Sequence, residues 1–262
     1  MKNIMKSIWY EILHSKMMIR IYILFMVIMG LFAVLNVGDS VQKGHASGMV
    51  AENPLLIYEF PIFMLSIIVG IICGEDYKDK VANYEVLSGH SRKSIFFARS
   101  LMGIIVGSVL STILCIVPLI VGIIVDGWGD ALVLSDVIIR ILLLFFPMLR
   151  LAAFLALITF LVKNQYVMMA SGFVIMMGCS LLQTVITDSK NIFISIFNMA
   201  LLLSFDSWSI YNLDPVNGLV TYNSYVSTVT PELVIGTITA SLVMTAFYLF
   251  MGYALFRRDD LS

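Results

Sequence analysis

Charge is what this sequence has least of. Only 13% of its 262 residues are Asp, Glu, Lys or Arg, about half of the roughly 25% usual in a soluble domain. That shortage excludes a chain held in water by a polar surface. Cysteine is scarce as well: Cys73, Cys115 and Cys179 each lie inside an apolar run. They read as small buried hydrophobes, not as a disulfide framework or a metal set. The three histidines, His14, His45 and His90, fall on different segments and read as ordinary polar surface residues. Neither sign of charge dominates, since the net charge is −1, so nothing points to a nucleic-acid partner. The chain has no GxxxxGK[ST] loop, no HExxH and no GxSxG elbow. An enzyme is therefore not expected, nor a cofactor in this chain; any energy coupling must come from an ion gradient or another subunit.

What the sequence has in abundance is apolar residues, 60% of the total. About 20 helical residues cross the hydrocarbon of a bilayer, so charge-poor runs of about 18 or more are candidate spans. Six qualify, at about 21–38, 55–73, 101–125, 137–162, 166–187 and 233–256. Thr230-Pro231-Glu232 opens the sixth with a capping hydroxyl, a first-turn proline and an acid. A seventh run, Ile192 to Phe205, is shorter, of a length that suits a re-entrant segment. Counting it as a span would place Arg257 and Arg258 outside, against the positive-inside tendency.

The expectation is thus an all-α membrane protein forming a single transmembrane domain over residues 1–262. It has six transmembrane helices and a re-entrant extracellular helical hairpin at 192–225 before the last span. Both termini are expected in the cytoplasm. In that layout Lys2, Lys6, Lys16, Arg20, Lys78, Lys80, Arg92, Lys93, Arg99, Lys163, Arg257 and Arg258 lie inside, and only Lys43 and Lys190 outside. Residues 1–20 precede the first span, with Ile4, Ile8, Trp9 and Ile12 on one helical face and Lys2, Lys6 and Glu11 elsewhere. This reads as an amphipathic helix on the inner leaflet. His45 to Gly48 makes a poor cleavage site, so the first span reads as a retained anchor, not a signal peptide.

Between spans two and three, residues 74–99 form the most informative stretch. Val81, Tyr84, Val86 and Leu87 pattern as a short amphipathic helix, stopped by Gly89. Ser91 then caps a second helix that runs into span three. The alternatives are an element that passes motion from a soluble partner and a plain membrane-surface loop.

Here the chain resembles the permease subunits of ABC-2 type transporters. In those an acidic Gly-x-Asp-Tyr/Phe step leaves span two, a coupling helix follows, and Ser/Gly-x-Ser-Arg-Lys/Arg and Ile-Phe-x-Ala-Lys/Arg runs lead into span three. The matching residues are Gly74, Asp76, Tyr77, Leu87, Ser88, Gly89, Ser91, Arg92, Lys93, Ile95, Phe96, Ala98 and Arg99. The basic N-terminal helix, the hairpin before span six and the tail Leu255 to Leu261 are also similar. One departure is Val81-Ala82-Asn83, where many members carry Gly-Thr.

The resemblance implies a bacterial cytoplasmic-membrane exporter. Two permease chains, alike or merely similar, would sit on two cytoplasmic ABC ATPase subunits that carry the ATP and Mg. The ATPase-coupling residues it implies are Asp76, Tyr77, Lys80, Tyr84, Glu85, Leu87, Ser88, His90 and Arg92, with Arg92 and Arg99 anchoring to lipid phosphates or to the ATPase. Small members export peptides or confer immunity to lantibiotics and other antimicrobial peptides; others move drugs, ions or glycans. The competing class is an ion-coupled carrier or channel without an ATPase, and a third is a membrane scaffold or immunity protein without transport.

Three charges fall inside the expected spans. Glu59 and Arg140 sit roughly 5 to 6 Å below the outer surface by helical rise. They are expected to pair, with snorkelling as the alternative. Arg150 lies roughly 20 Å deep. It either lines the translocation path or a dimer interface, or is pinned to polar groups of neighbouring helices. Pro147 and Pro118 are expected to bend their helices. The outer hairpin, with Trp208, Tyr211, Asp206 and Asp214, reads as an interfacial cap or as an exit gate for a cationic amphipath. Met168-Met169 and Met176-Met177 suit either packing or a path for varied apolar cargo.

Overall fold

Near the N-terminus two helices meet at one serine. Helix α1 (Lys2–His14) ends there and α2 (Lys16–Asp39) begins, and the Ser15 hydroxyl accepts from the Met18 amide at 3.3 Å. A polar side chain thus serves one of the first amides of α2, which have no helical acceptor. Then follow α3 (Pro54–Asp79), α4 (Arg92–Asp126), α5 (Leu134–Val162) and α6 (Pro231–Arg258). Strands β1 (Asn212–Leu213) and β2 (Val220–Thr221) lie between α5 and α6 and pair antiparallel.

The computed structural model describes residues 2–39, 45–47, 49, 54–79, 87–130, 133–172, 174, 212–213, 220–221 and 231–258. Their side chains are described except at 36–39, 54–59, 75–79, 212–213, 220–221, 232–233 and 258. Apart from β1 and β2, the hairpin expected at 192–225 lies outside the described residues, as does most of the fifth expected span. Of that span, 165–172 is helical, opened by the Asn164 carboxamide oxygen accepting from the amides of Tyr166 at 3.0 Å and Val167 at 3.2 Å.

The chain has the build of a helical membrane protein. Among the described residues, four helices are long and apolar enough to cross a membrane: Lys16–Leu35, Arg92–Asp126, Leu134–Val162 and Val234–Arg257. Leu31, Leu35, Ile124, Leu142 and Phe250 point away from the bundle and are exposed. Such a spread of large apolar side chains suits a lipid surround and would be a liability in water.

Most helices overrun their apolar runs at the cytoplasmic ends expected above. Helix α2 starts at Lys16 instead of near 21, α3 continues to Asp79, and α4 starts at Arg92. Hydropathy marks only the stretch matched to hydrocarbon, whereas backbone hydrogen bonding carries a helix on until a cap or a glycine stops it. Both α4 and α5 run on through their internal prolines, Pro118 and Pro147.

Contacts between side chains fix the relative directions. Phe25 meets Phe63 and Phe32 meets Phe60, so α3 runs antiparallel to α2. The Tyr22 hydroxyl donates to the Leu110 carbonyl at 3.1 Å and Gly30 faces Val121, so α4 runs parallel to α2. Phe96 faces Phe160 across antiparallel α4 and α5. Phe154 meets Tyr248 and Phe160 meets Phe256, which makes α5 and α6 parallel neighbours. Residues 165–172 climb back along α3, with Gln165 beside Gly74 and Met168 beside Gly70.

Helix α4 is the axis of the bundle, touching α1, α2, α3, α5 and α6. Its fit to α3 depends on two glycines. A Cβ on Gly103 would stand 2.8 Å from Cys73 Sγ, and one on Gly107 2.9 Å from Leu65 Cδ1, so the pair approaches closely because no side chain intervenes.

Candidate functional site

The site the sequence singled out is the foot of α4. Locally it forms as its residue types require. Ser88 and Gly89 make a turn directly after the helical Leu87, Gly89 with a φ of 88°, a conformation that costs little only for glycine. Ser91 is extended, with φ −72° and ψ 141°, and its hydroxyl accepts from the Ser94 amide at 3.2 Å. From this cap α4 runs unbroken for 35 residues to Asp126. That is roughly 50 Å at 1.5 Å per residue, against about 30 Å of hydrocarbon. The helix is long enough to carry its first turn clear of the apolar layer.

Of the expected coupling residues, Lys80, Tyr84 and Glu85 lie outside the described residues. Asp76 and Tyr77 belong to the last turns of α3, their side chains outside the described set. Leu87 is 82% exposed, a large apolar side chain standing in solvent. Ser88, Gly89, Ser91, Arg92 and Lys93 are exposed beside it and His90 is half-buried.

One turn further on the stretch reverses its character. Ile95 is 0% exposed, Phe96 1%, Ala98 0% and Arg99 4%. Phe96 is the centre of an aromatic knot, with ring centroids 4.8 Å from Phe160, 5.5 Å from Phe256, 5.6 Å from Tyr253 and 5.3 Å from Phe97. The knot ties the foot of α4 to the ends of α5 and α6. Ile95 and Ala98 instead pack in the core shared with α1, α2 and α3. Arg99, expected to reach outward to phosphates or to a partner, is turned into the protein beneath α1.

Helix α1 differs in a related way. Ile4, Ile8 and Ile12 form a buried stripe packed in the core that α1 shares with α4. Trp9, read with that stripe from the sequence, separates from it and is half-exposed alongside Tyr10 and Leu13. The isoleucines meet protein, and a second apolar side of the same helix is left for the surroundings.

Within the bundle, Arg140 is 0% exposed and Arg150 3% exposed. Neither reaches the surface of the bundle. Glu59 lies in α3 with its side chain outside the described set, so the expected pair with Arg140 does too. Arg150 lies one turn before Phe154 on α5, and the Phe154 ring meets that of Tyr248 on α6 at 5.4 Å. Tyr248 was not singled out from the sequence. It shares a helical face with Gly252 and Phe256, and that face is recognisable as a contact surface only once α6 is laid against α5. Met168 is buried in the main core, while Met176 and Met177 lie outside the described residues, as do Asp206 and Asp214.

At the opposite end of the bundle a clasp joins the α2–α3 and α4–α5 connections. The Ala46 amide donates to the Gly127 carbonyl at 3.1 Å and the Ser47 amide to the Trp128 carbonyl at 2.8 Å. His45 Nδ1 lies 2.8 Å from the Asp126 carbonyl and 3.5 Å from its carboxylate. Residues about 80 positions apart in the chain gave no sequence signal for this. Among the described residues no group of three or more His, Cys, Asp or Glu is placed to hold a metal ion. In comparisons with known proteins, no family model matches the chain and no curated protein matches it.

Proposed function

We propose that this chain is the membrane-spanning permease subunit of an ATP-driven ABC exporter, taking energy from a partner ATPase through the foot of α4. The observation that carries the reading is the split of residues 87–99. An exposed turn with an apolar tip at Leu87 stands at the end of a single capped helix, and the next turn is locked into the bundle by the Phe96 knot. A push on the turn would therefore move the whole helix and the elements tied to it. No nucleotide site is expected in this chain; ATP and Mg would sit on the ATPase pair, beneath two permease chains in a bacterial cytoplasmic membrane.

The helix directions support six crossings with a re-entrant hairpin. Parallel neighbours α5 and α6 require an odd number of crossings between them. One crossing beginning at 165, with 192–205 not crossing, satisfies this; two would make α5 and α6 antiparallel. With the basic residues inside, both termini are cytoplasmic. The cargo class we favour is a peptide or another amphipathic molecule, including an antimicrobial peptide expelled for self-protection.

The second reading is an ion-coupled carrier or channel. Its support is the pair of arginines inside the bundle, Arg140 and Arg150, because charges at such depth are costly and tend to serve a path. Reconstituted vesicles separate the two. Transport by the permease with its ATPase should need ATP and stop when Leu87 is replaced by Asp, whereas transport by the chain alone, driven by an ion gradient, would favour the carrier.

A further inference from the structure

Helix α6 keeps its hydroxyls inside. Its outward side carries exposed Leu242, Val243, Phe247 and Phe250, whereas its buried side carries Thr237, Ser241 and Tyr248 before Gly252 and Phe256. The buried residues follow at helical spacing and share the face that meets α5. Along it Tyr248 meets Phe154, Gly252 lies against Leu157 and Phe256 meets Phe160. Continued toward the start of both helices, this register sets Thr237 and Ser241 level with Leu143 and Pro147. Those two are buried and fall on the Phe154 face of α5.

That level is polar on both sides. Thr112, Thr159 and Thr245 donate their hydroxyls to a carbonyl one turn back, at 2.7 to 2.8 Å. Thr237 at 9% exposure and Ser241 at 1% do otherwise, their hydroxyls having no hydrogen-bond partner among the described residues. Opposite them, Pro147 has no amide to give the Leu143 carbonyl, so that acceptor lacks its usual helical donor. Such a seam is costly when dry, because each buried polar group needs a partner. The hydroxyls carry the inference, not Arg140 and Arg150, each of which has interactions of its own.

We propose that the α5–α6 seam from Thr237 to Tyr248 parts to admit water and small hydrophilic solutes into the bundle. Hydroxyls and a freed carbonyl donate and accept hydrogen bonds, the chemistry that receives water and hydrophilic groups and not an apolar chain. Past Tyr248 the Phe154 ring and then the Phe96 knot close the seam, so entry is from the Pro231 end of α6. The seam goes beyond the reading of the chain as an ATPase-driven permease. It belongs to this chain alone, and its test needs neither ATP nor a partner, so either can fail without the other.

The test uses the full chain in open membrane fragments, where both membrane faces meet the reagent. Thr237→Cys, Ser241→Cys and Val243→Cys are each treated with a small membrane-impermeant methanethiosulfonate. Peptide mass spectrometry reads every position separately, so Cys73, Cys115 and Cys179 stay in place. A thiol reacts as the thiolate, which needs water around it. Thr237→Cys and Ser241→Cys should therefore react about tenfold faster than Val243→Cys, although Val243 is 61% exposed on the apolar outward side. Equal rates at the three positions, fast or slow, overturn the proposal. A fast Thr237→Cys beside a slow Ser241→Cys overturns it too, since a frayed helix end would explain that. Adding Thr237→Trp to Ser241→Cys should plug the entry and slow labelling about tenfold; an unchanged rate would mean that water arrives by another route and would overturn the seam.

Discussion

Two halves of one short stretch, Leu87 to Lys93 and Ile95 to Arg99, follow each other in the chain and face opposite ways. The first half offers Leu87 and Arg92 to solvent. The second buries Ile95, Phe96, Ala98 and Arg99. Both contribute to the same sequence resemblance, yet they do different physical work. The outward half has the exposure a partner surface needs, and the inward half has the packing that makes α4 move as one body with its neighbours. Residues of a motif that look alike as contact positions can thus divide into those that meet another molecule and those that hold the first in shape.

The sharpest way to break this division is Phe96→Ala. Removing the centre of the knot should cost about 3 to 5 kcal/mol, read as a large fall in the unfolding midpoint in detergent; an unchanged midpoint would mean the inward half is not structural. Next comes Gly103→Val, whose Cβ would collide with Cys73 Sγ at 2.8 Å. Overpacking there should cost about 1 to 3 kcal/mol, visible as a lower midpoint and faster proteolysis. At the hinge between the halves, Ser91→Ala removes the cap on α4 and should cost about 1 kcal/mol. Its amide-exchange signature is local, with faster exchange at Ser94 and its neighbours and no change at the Asp126 end of α4. The smallest effect on stability is expected for Leu87→Asp, within about 0.5 kcal/mol, because the side chain touches little of its own protein.

What the sequence disclosed was local in origin. Gly89 as a stop, Ser91 as a cap and Pro231 as a helix start are short-range stereochemistry, and the structure has the positive φ, the cap and the start at Pro231. Charge-poor runs located α2, α4, α5 and α6 because the apolar match to a bilayer is a composition effect. What depends on which helix lies beside which was not legible. The Ile4–Ile8–Ile12 stripe announced an apolar face without saying whether lipid or protein would meet it. Arg99 looked like an outward anchor because helical position relative to α1 and α3 is not written in its neighbours. The clasp of His45 on Asp126 and the meeting of Phe154 with Tyr248 join residues far apart in the chain, and no spacing rule reaches them.

The most direct test of the division is to express the tagged chain together with the ABC ATPases of its own cell, purify it with whatever ATPase binds and measure ATP hydrolysis. The account predicts that the ATPase co-purifies, and that Leu87→Asp and Arg92→Glu each lower permease-dependent hydrolysis by about tenfold or more, as loss of an anchoring contact does, while the unfolding midpoint of the permease stays unchanged. Hydrolysis that persists in both variants, or an ATPase that never co-purifies with the intact chain, would contradict it.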